Sequence, residues 1–255
     1  PMTHPTPPIL IIGSYVSPYV RKVLACLGVK GLDYSIDPIT PFYGNDEFTR
    51  LSPLRRIPVL VQGDLALSDS SVICAWLDEA YPDQPPLLPQ GSPADRARAR
   101  WLEEFADSRM GEVFIWDLFY QKVVHPAVWG EPGDATRITH AIDTAIPEVL
   151  DYLEPQLPDD GFLFGTLGLA DIAIATFFPN ARFAGYEVDA QRWPKTAAFV
   201  ERCLAHPVFA ALTPFEQAQI AVSPQQRRDA LLAAGAPLSE TSYGLKTPRK
   251  GVMTL

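Results

Sequence analysis

The chain has 255 residues, 47% hydrophobic and 20% charged, the make-up of an ordinary globular protein with room for one large or two modest domains. Its 21 basic and 30 acidic residues leave a net charge of −9, which repels nucleic-acid phosphates and anionic lipid and favours a small-molecule partner. No apolar run approaches the ~18 residues of a membrane span, and Pro1 to Pro8 lacks the basic region and apolar core of a signal peptide, so a cytoplasmic protein is expected. Cys26, Cys74 and Cys203 are an odd set without a C-x-x-C pair. That argues against a disulfide framework, a zinc site or a dithiol redox centre, and predicts small buried thiols.

In chain order, Ile9 to Gly13 is a short Ile-rich run that predicts a buried strand. Ser17-Pro18 then starts a helix, with serine at the N-cap, proline in the first turn, and Val20, Val23, Leu24 and Leu27 at helical spacing up to Gly28. Leu32 to Ile36 predicts a second strand, and the polar stretch with Pro41, Gly44 and Asn45 a loop with a short helix. Ile57 to Val61 and Leu65 to Leu67 flank Gln62-Gly63-Asp64, the chemistry of a hairpin turn. A third helix follows over Asp69 to Ala80, with Val72, Ile73, Trp76 and Leu77 on the 3.6 period.

Five residues of Pro or Gly between Tyr81 and Ser92 preclude helix or central strand there, which predicts a linker over 83–92. Ser92-Pro93-Ala94-Asp95 announces a long helix whose buried stripe is Leu102, Phe105, Ala106, Met110 and Val113. A further helix carries Ile138, Ile142, Ala145, Ile146, Val149 and Leu153 on one face, and Pro147 should kink it. The rest reads as helices only. An all-helical domain is thus expected over 93–222, after an α/β domain over 1–82. The extension 223–255 opens with the capping signature Ser223-Pro224-Gln225-Gln226 and turns polar after Ala233, with no role legible in the sequence.

Three motifs stand out: Ser17-Pro18-Tyr19-Val20-Arg21-Lys22-Val23 at the first helix, Ser52-Pro53-Leu54-Arg55-Arg56-Ile57-Pro58-Val59-Leu60 ahead of the third strand, and Leu67-Ser68-Asp69-Ser70-Ser71-Val72-Ile73 at the third helix. In this order, ahead of a helical half, they resemble the soluble glutathione transferases of the serine type from about Ile9 to about Phe215. The resemblance implies a thioredoxin-like N-terminal domain, an all-helical C-terminal domain, a homodimer, and glutathione as co-substrate without a metal.

Physical reasons accompany each residue the resemblance carries over. A free thiol with pKa ~8.5 is mostly protonated at neutral pH, and a hydroxyl donating to sulfur at the positive end of a helix favours the reactive thiolate. Ser17 occupies that position, and Ser14, at the strand end, is the competing hydroxyl. Ile57-Pro58 resembles the fold's cis-proline, after which Val59 would pair its main chain with the cysteinyl backbone of glutathione as an added strand does. Asp69 and Ser70 would hold the γ-glutamyl carboxylate at a helix start, and Arg56 the glycyl carboxylate.

Gly165 to Asp171 resembles the family's folding motif, a capping box with Asp171 at N3, Gly168 at the cap, and Leu167 and Ile172 as the hydrophobic staple. Glycine at the cap should leave one side-chain hydrogen bond unmade. His4, His125, His140 and His206 share no spacing with carboxylates or cysteines and read as structural or surface residues.

A small hydrophobic electrophile would bind between the domains, with Tyr15 as one wall and Glu104, Ser108, Gly111 and Ile115 on one face of the long helix. The reaction implied is attack of a Ser17-stabilised glutathione thiolate on an electrophilic carbon or a peroxide oxygen. The resemblance leaves open a specialised isomerase, dehalogenase or ether-cleaving lyase, and a glutathione-binding protein without catalysis.

Overall fold

The computed structural model describes residues 7–250, so His4 and the opening residues to Thr6 lie outside it. The chain divides into two compact units, Pro1–Gln84 together with Leu212–Leu255, and Pro85–Ala211.

The first unit is built on β1 (Ile9–Ile12), α1 (Pro18–Lys30), β2 (Tyr34–Asp37), α2 (Asp46–Leu51), β3 (Val59–Gln62), β4 (Leu65–Ser68) and α3 (Ser70–Ala80). The sheet runs in the order β2-β1-β3-β4, with β1 parallel to β2 and antiparallel to β3, and β3 antiparallel to β4. This is the mixed sheet expected of a thioredoxin-like domain. Ile11, Ile12, Ile36, Val59 and Leu60 are all wholly buried in its centre. Phe48 of α2 joins Ile12 and Val59 in one core cluster, and the apolar stripe of α1 is equally enclosed. Cys26 of α1 and Cys74 of α3 meet with their sulfurs 3.6 Å apart, and both thiols, like that of Cys203, are buried.

Helix α1 runs past the predicted stop at Gly28 to Lys30, and Gly31, at φ 65°, supplies the left-handed cap. The extra turn is held because Lys30 Nζ lies 2.8 Å from the Asp78 carboxylate and donates to the Tyr81 carbonyl at the end of α3.

The second unit begins with α4 (Pro93–Phe105), whose start is a full capping box between Ser92 and Asp95. The rod continues as a π-helical stretch, Ala106–Val124, and ends in α5 (His125–Trp129). Then come α6 (Ala135–His140), α7 (Ile146–Leu153), α8 (Leu169–Ala175), α9 (Phe178–Phe183), α10 (Pro194–Ala205) and α11 (Pro207–Ala210). Pro147 sits in the first turn of α7, directly after a π turn over Ala141–Ala145. The break predicted at this proline is therefore a widened turn that accommodates its missing N–H. Leu102, Ala106, Met110 and Val113 are wholly buried, and Phe105 is half-buried against Tyr152.

The C-terminal segment departs most from expectation. Helix α12 (Thr213–Ile220), expected inside the helical domain, clusters with the first unit, as does α13 (Arg227–Ala233). Ser223 makes no cap bond to the backbone; its hydroxyl donates to the Gln226 side chain. Beyond α13 the tail lies along the sheet edge. Leu238 bridges Ile36 of β2 in parallel, with Ile36 N–H donating to Pro237 O and Ser239 N–H to Ile36 O. The buried Asp37 carboxylate accepts from Ser242 Oγ and Tyr243 N–H, each at 2.7 Å. The tail thus covers an edge whose open N–H and C=O groups would otherwise invite another chain. Among the described residues no helix is long and apolar enough to cross a membrane.

Candidate functional site

Register brings the three motifs together. Val59 at the start of β3 lies opposite Ile12 at the end of β1 and Ser68 at the end of β4. The segments 13–17, 55–58 and 69–70 therefore leave the same end of the sheet. Gly13 makes the close approach possible: at φ 153°, a Cβ there would stand 2.5 Å from Val20 Cγ2 and 3.2 Å from Ile57 Cβ.

Ser17 caps α1, with its N–H donating to Ser14 O at 3.0 Å and its Oγ accepting a long 3.4 Å bond from Val20 N–H. Its hydroxyl is partly exposed and meets no acceptor among the described residues. Ser14 differs: it is 3% exposed, and its Oγ accepts from Gln219 Nε2 at 2.7 Å and from Val16 N–H at 3.2 Å.

The Ile57-Pro58 bond is cis, as expected. Val59 is placed differently from the role foreseen for it. It stands between β1 and β4, so whichever side its N–H and C=O face, a strand is already there. Ile57 lies outside the ladder, and its peptide groups have no hydrogen-bond partner among the described residues. Arg56 is exposed, its main chain pinned by Ser52, whose hydroxyl accepts from Arg56 N–H at 3.0 Å and donates to Arg56 O at 2.9 Å. The neighbouring Arg55 is buried, and donates to the carbonyls of Pro41 and Gly44 at 2.7 and 2.9 Å, which fixes the loop ahead of α2.

Asp69 holds φ 104°, ψ 125°, unusual for a side chain with a Cβ, while its carboxylate caps α3 through Ser71 N–H and Val72 N–H at 2.9 and 3.1 Å. Ser70, at the first helical position, is 4% exposed, and its hydroxyl has no partner among the described residues. Lys22 Nζ donates to Ser71 Oγ at 3.1 Å and adds positive charge at this helix start.

Two of the placements expected for an electrophile wall differ from expectation. Tyr15 is 1% exposed, tilted against Phe215 with ring centroids 5.0 Å apart and its hydroxyl 3.4 Å from that of Tyr34, so it is a packing residue. Burial drives its phenol well above the usual range. Glu104 and Ser108 are exposed, whereas Gly111 and Ile115 are buried.

The folding motif stands as read. Asp171 accepts from Gly168 N–H at 3.0 Å and from Leu163 N–H at 2.9 Å, and glycine offers no side-chain acceptor in return. His125 contacts Glu131 O and His206 accepts from Val208 N–H, as structural residues do. Among the described residues no three His, Cys, Asp or Glu side chains group as metal ligands. A shallow cleft beside Thr136, His140 and Asp143 shares no residue with this site.

Sequence reasoning missed the contributions of α12. Gln219 reaches Ser14 and Tyr15, and Glu216 pairs with buried Arg21 one turn beyond Ser17. No local pattern links positions some 200 residues apart.

Comparisons with known proteins agree with this arrangement. Residues 11–86 match the family model for the N-terminal domain of glutathione S-transferase, and residues 135–224 match that for its C-terminal domain. Glutathione S-transferase 3 of Zea mays is 32% identical over 209 residues, which is 79% of this chain and 91% of that protein. The solved glutathione S-transferase of Rhodospirillum rubrum superposes with a TM-score of 0.75 at 28% identity, over 87% of this chain and 99% of that one. A Burkholderia glutathione transferase homolog solved with bound glutathione gives a TM-score of 0.58 at 25% identity, over 87% and 99%.

Proposed function

Because this chain belongs to the glutathione S-transferase family, we propose that it binds glutathione at the common end of β1, β3 and β4 and uses the Ser17 hydroxyl to hold the thiolate. The observation that carries this reading is the contrast between two hydroxyls: Ser14 is sealed in the turn, 3% exposed and held by Gln219 Nε2 and Val16 N–H, while Ser17, at the N-terminus of a 13-residue helix, is partly exposed and can donate to a sulfur outside. Ser70 Oγ and the start of α3 bind the γ-glutamyl carboxylate, and Arg56 takes the glycyl carboxylate. The cysteinyl main chain pairs with Ile57, whose peptide groups stand open beside Pro58.

The thiolate attacks an electrophilic carbon and displaces its leaving group to form a thioether. With a peroxide it takes one oxygen and releases an alcohol, and a second glutathione then forms the disulfide and water. The protein is a cytoplasmic homodimer in this reading.

Ser17→Ala tests it. A bound thiol held about two units below its free pKa represents about 2.7 kcal/mol of preference for the thiolate. The helix dipole alone supplies only ~0.3 to 1 kcal/mol of that. The variant should turn over roughly ten- to a hundredfold more slowly near neutral pH and recover as the pH passes the free-thiol value. A variant with the parent's pH profile would eliminate Ser17 as the activating group.

A further inference from the structure

We propose that Gln219, on α12, is a positioning residue for the site, holding the turn that presents Ser17; the proposal rests on the Ser17 reading above. Its side chain is wholly buried. Its Oε1 accepts from Tyr15 N–H at 3.0 Å and its Nε2 donates to Ser14 Oγ at 2.7 Å. The orientation of the amide is dictated by chemistry: a backbone N–H can only donate, so oxygen faces Tyr15 and nitrogen faces Ser14. Ser14 in turn accepts Ser17 N–H on its carbonyl at 3.0 Å and Val16 N–H on its hydroxyl at 3.2 Å. One amide therefore closes a short chain of hydrogen bonds that ends on the main chain of Ser17.

The same helix adds two supports. Phe215 packs on the Tyr15 ring, and Glu216 pairs with Arg21 on α1. The loop is thus gripped on both sides of Ser17 by a segment some 200 residues away. A hydroxyl that must meet a sulfur within hydrogen-bond reach depends on such support, because displacements of a fraction of an ångström already weaken the bond. The side-chain hydrogen bonds of Gln219 go to Tyr15 and Ser14 and not to Arg56, Ile57, Asp69 or Ser70, so its effect should fall on thiol ionisation and spare glutathione affinity.

The test is Gln219→Leu, which keeps most of the volume and removes both bonds, measured beside Ser17→Ala and the parent. Turnover at saturating glutathione should fall roughly three- to tenfold near neutral pH and recover at alkaline pH, with glutathione affinity by calorimetry within about threefold of the parent. Amide exchange of the peptide covering 13–17 should accelerate, while that of β1 and the body of α1 stays protected. If Gln219→Leu does not fold, Ser14→Ala carries the test, with a smaller deficit in the same direction.

A folded Gln219→Leu with the parent's pH profile, or with parental exchange at 13–17, overturns the proposal while a shifted Ser17→Ala leaves the Ser17 reading standing. A Ser17→Ala protein with the parent's profile overturns the Ser17 reading itself, and the positioning role falls with it.

Discussion

Ser70, nearly buried as a residue and with no hydroxyl partner among the described residues, stands at the first turn of α3, whose N–H groups and dipole favour negative charge. Ser70→Ala should weaken glutathione binding by about 1 to 3 kcal/mol, since a charge-assisted hydrogen bond is lost and an anionic group is left poorly solvated. Turnover at saturation should change little. Calorimetry checks this, and unaltered affinity would remove Ser70 from the site. The Asp69 cap was legible in the sequence because it rests on contacts within three residues, and the cis Ile57-Pro58 bond followed from the resemblance. The pairing of Val59 with both Ile12 and Ser68 was not, because it depends on which strands flank β3.

At the scale of elements, the cap of α8 can be tested through its proton. Burial lifts the Asp171 carboxyl from an ordinary 3.8 to about 6, prevailing over the three backbone N–H groups, of Leu163, Gly168 and Asp171 itself, that favour its ionised form. The native chain then binds this proton more tightly than the unfolded chain, so the residue's share of stability is fully present below about 3.8 and is lost as pH rises through about 6. The stability advantage of the parent over Asp171→Asn should shrink by about 2 to 3 kcal/mol between pH 4 and pH 7. Denaturant titrations at several pH values measure it, and a constant difference contradicts the linkage. Glutathione affinity of the folded variant should stay that of the parent. The capping boxes at Ser92 and Gly168 were readable ahead of the structure. The π-helical continuation of α4 was not, because the apolar spacing of Ala106, Met110 and Val113 also suits an α-helix.

For the whole molecule, the tail is part of the first unit's fold. A chain ending at Ala236 would lose the Pro237 and Ser239 bonds to β2, both Asp37 contacts, and those of Leu245 to Tyr43 and Arg249 to Phe42. Asp37 would be uncovered and keep only the Arg228 guanidinium at 3.6 Å among these partners. At 2 to 4 °C per kcal/mol for a chain of this size, the thermal midpoint should fall by about 5 to 10 °C, and the loop 40–46 should become a site of rapid proteolysis. An unchanged midpoint would reduce the tail to surface decoration. The homodimer proposed above has its own test. Sedimentation should give twice the monomer mass, and a monomer at micromolar concentration would dispose of the homodimer.

What the sequence by itself determined is what local physics encodes. Strand and helix periods, the serine cap before Pro18, the proline-rich break before Ser92 and the buried cysteines all follow from residues within a turn or two of one another. Tertiary structure alone decided that Ser14 is sealed while Ser17 is partly exposed, that Tyr15 packs inward, that α12 clusters with the first unit, and that Asp37 is sealed under the tail. Those outcomes come from contacts between residues about 200 positions apart. Such contacts leave no period or spacing in the chain, because their partners become neighbours only after the sheet has formed and the C-terminal segment has packed back on it.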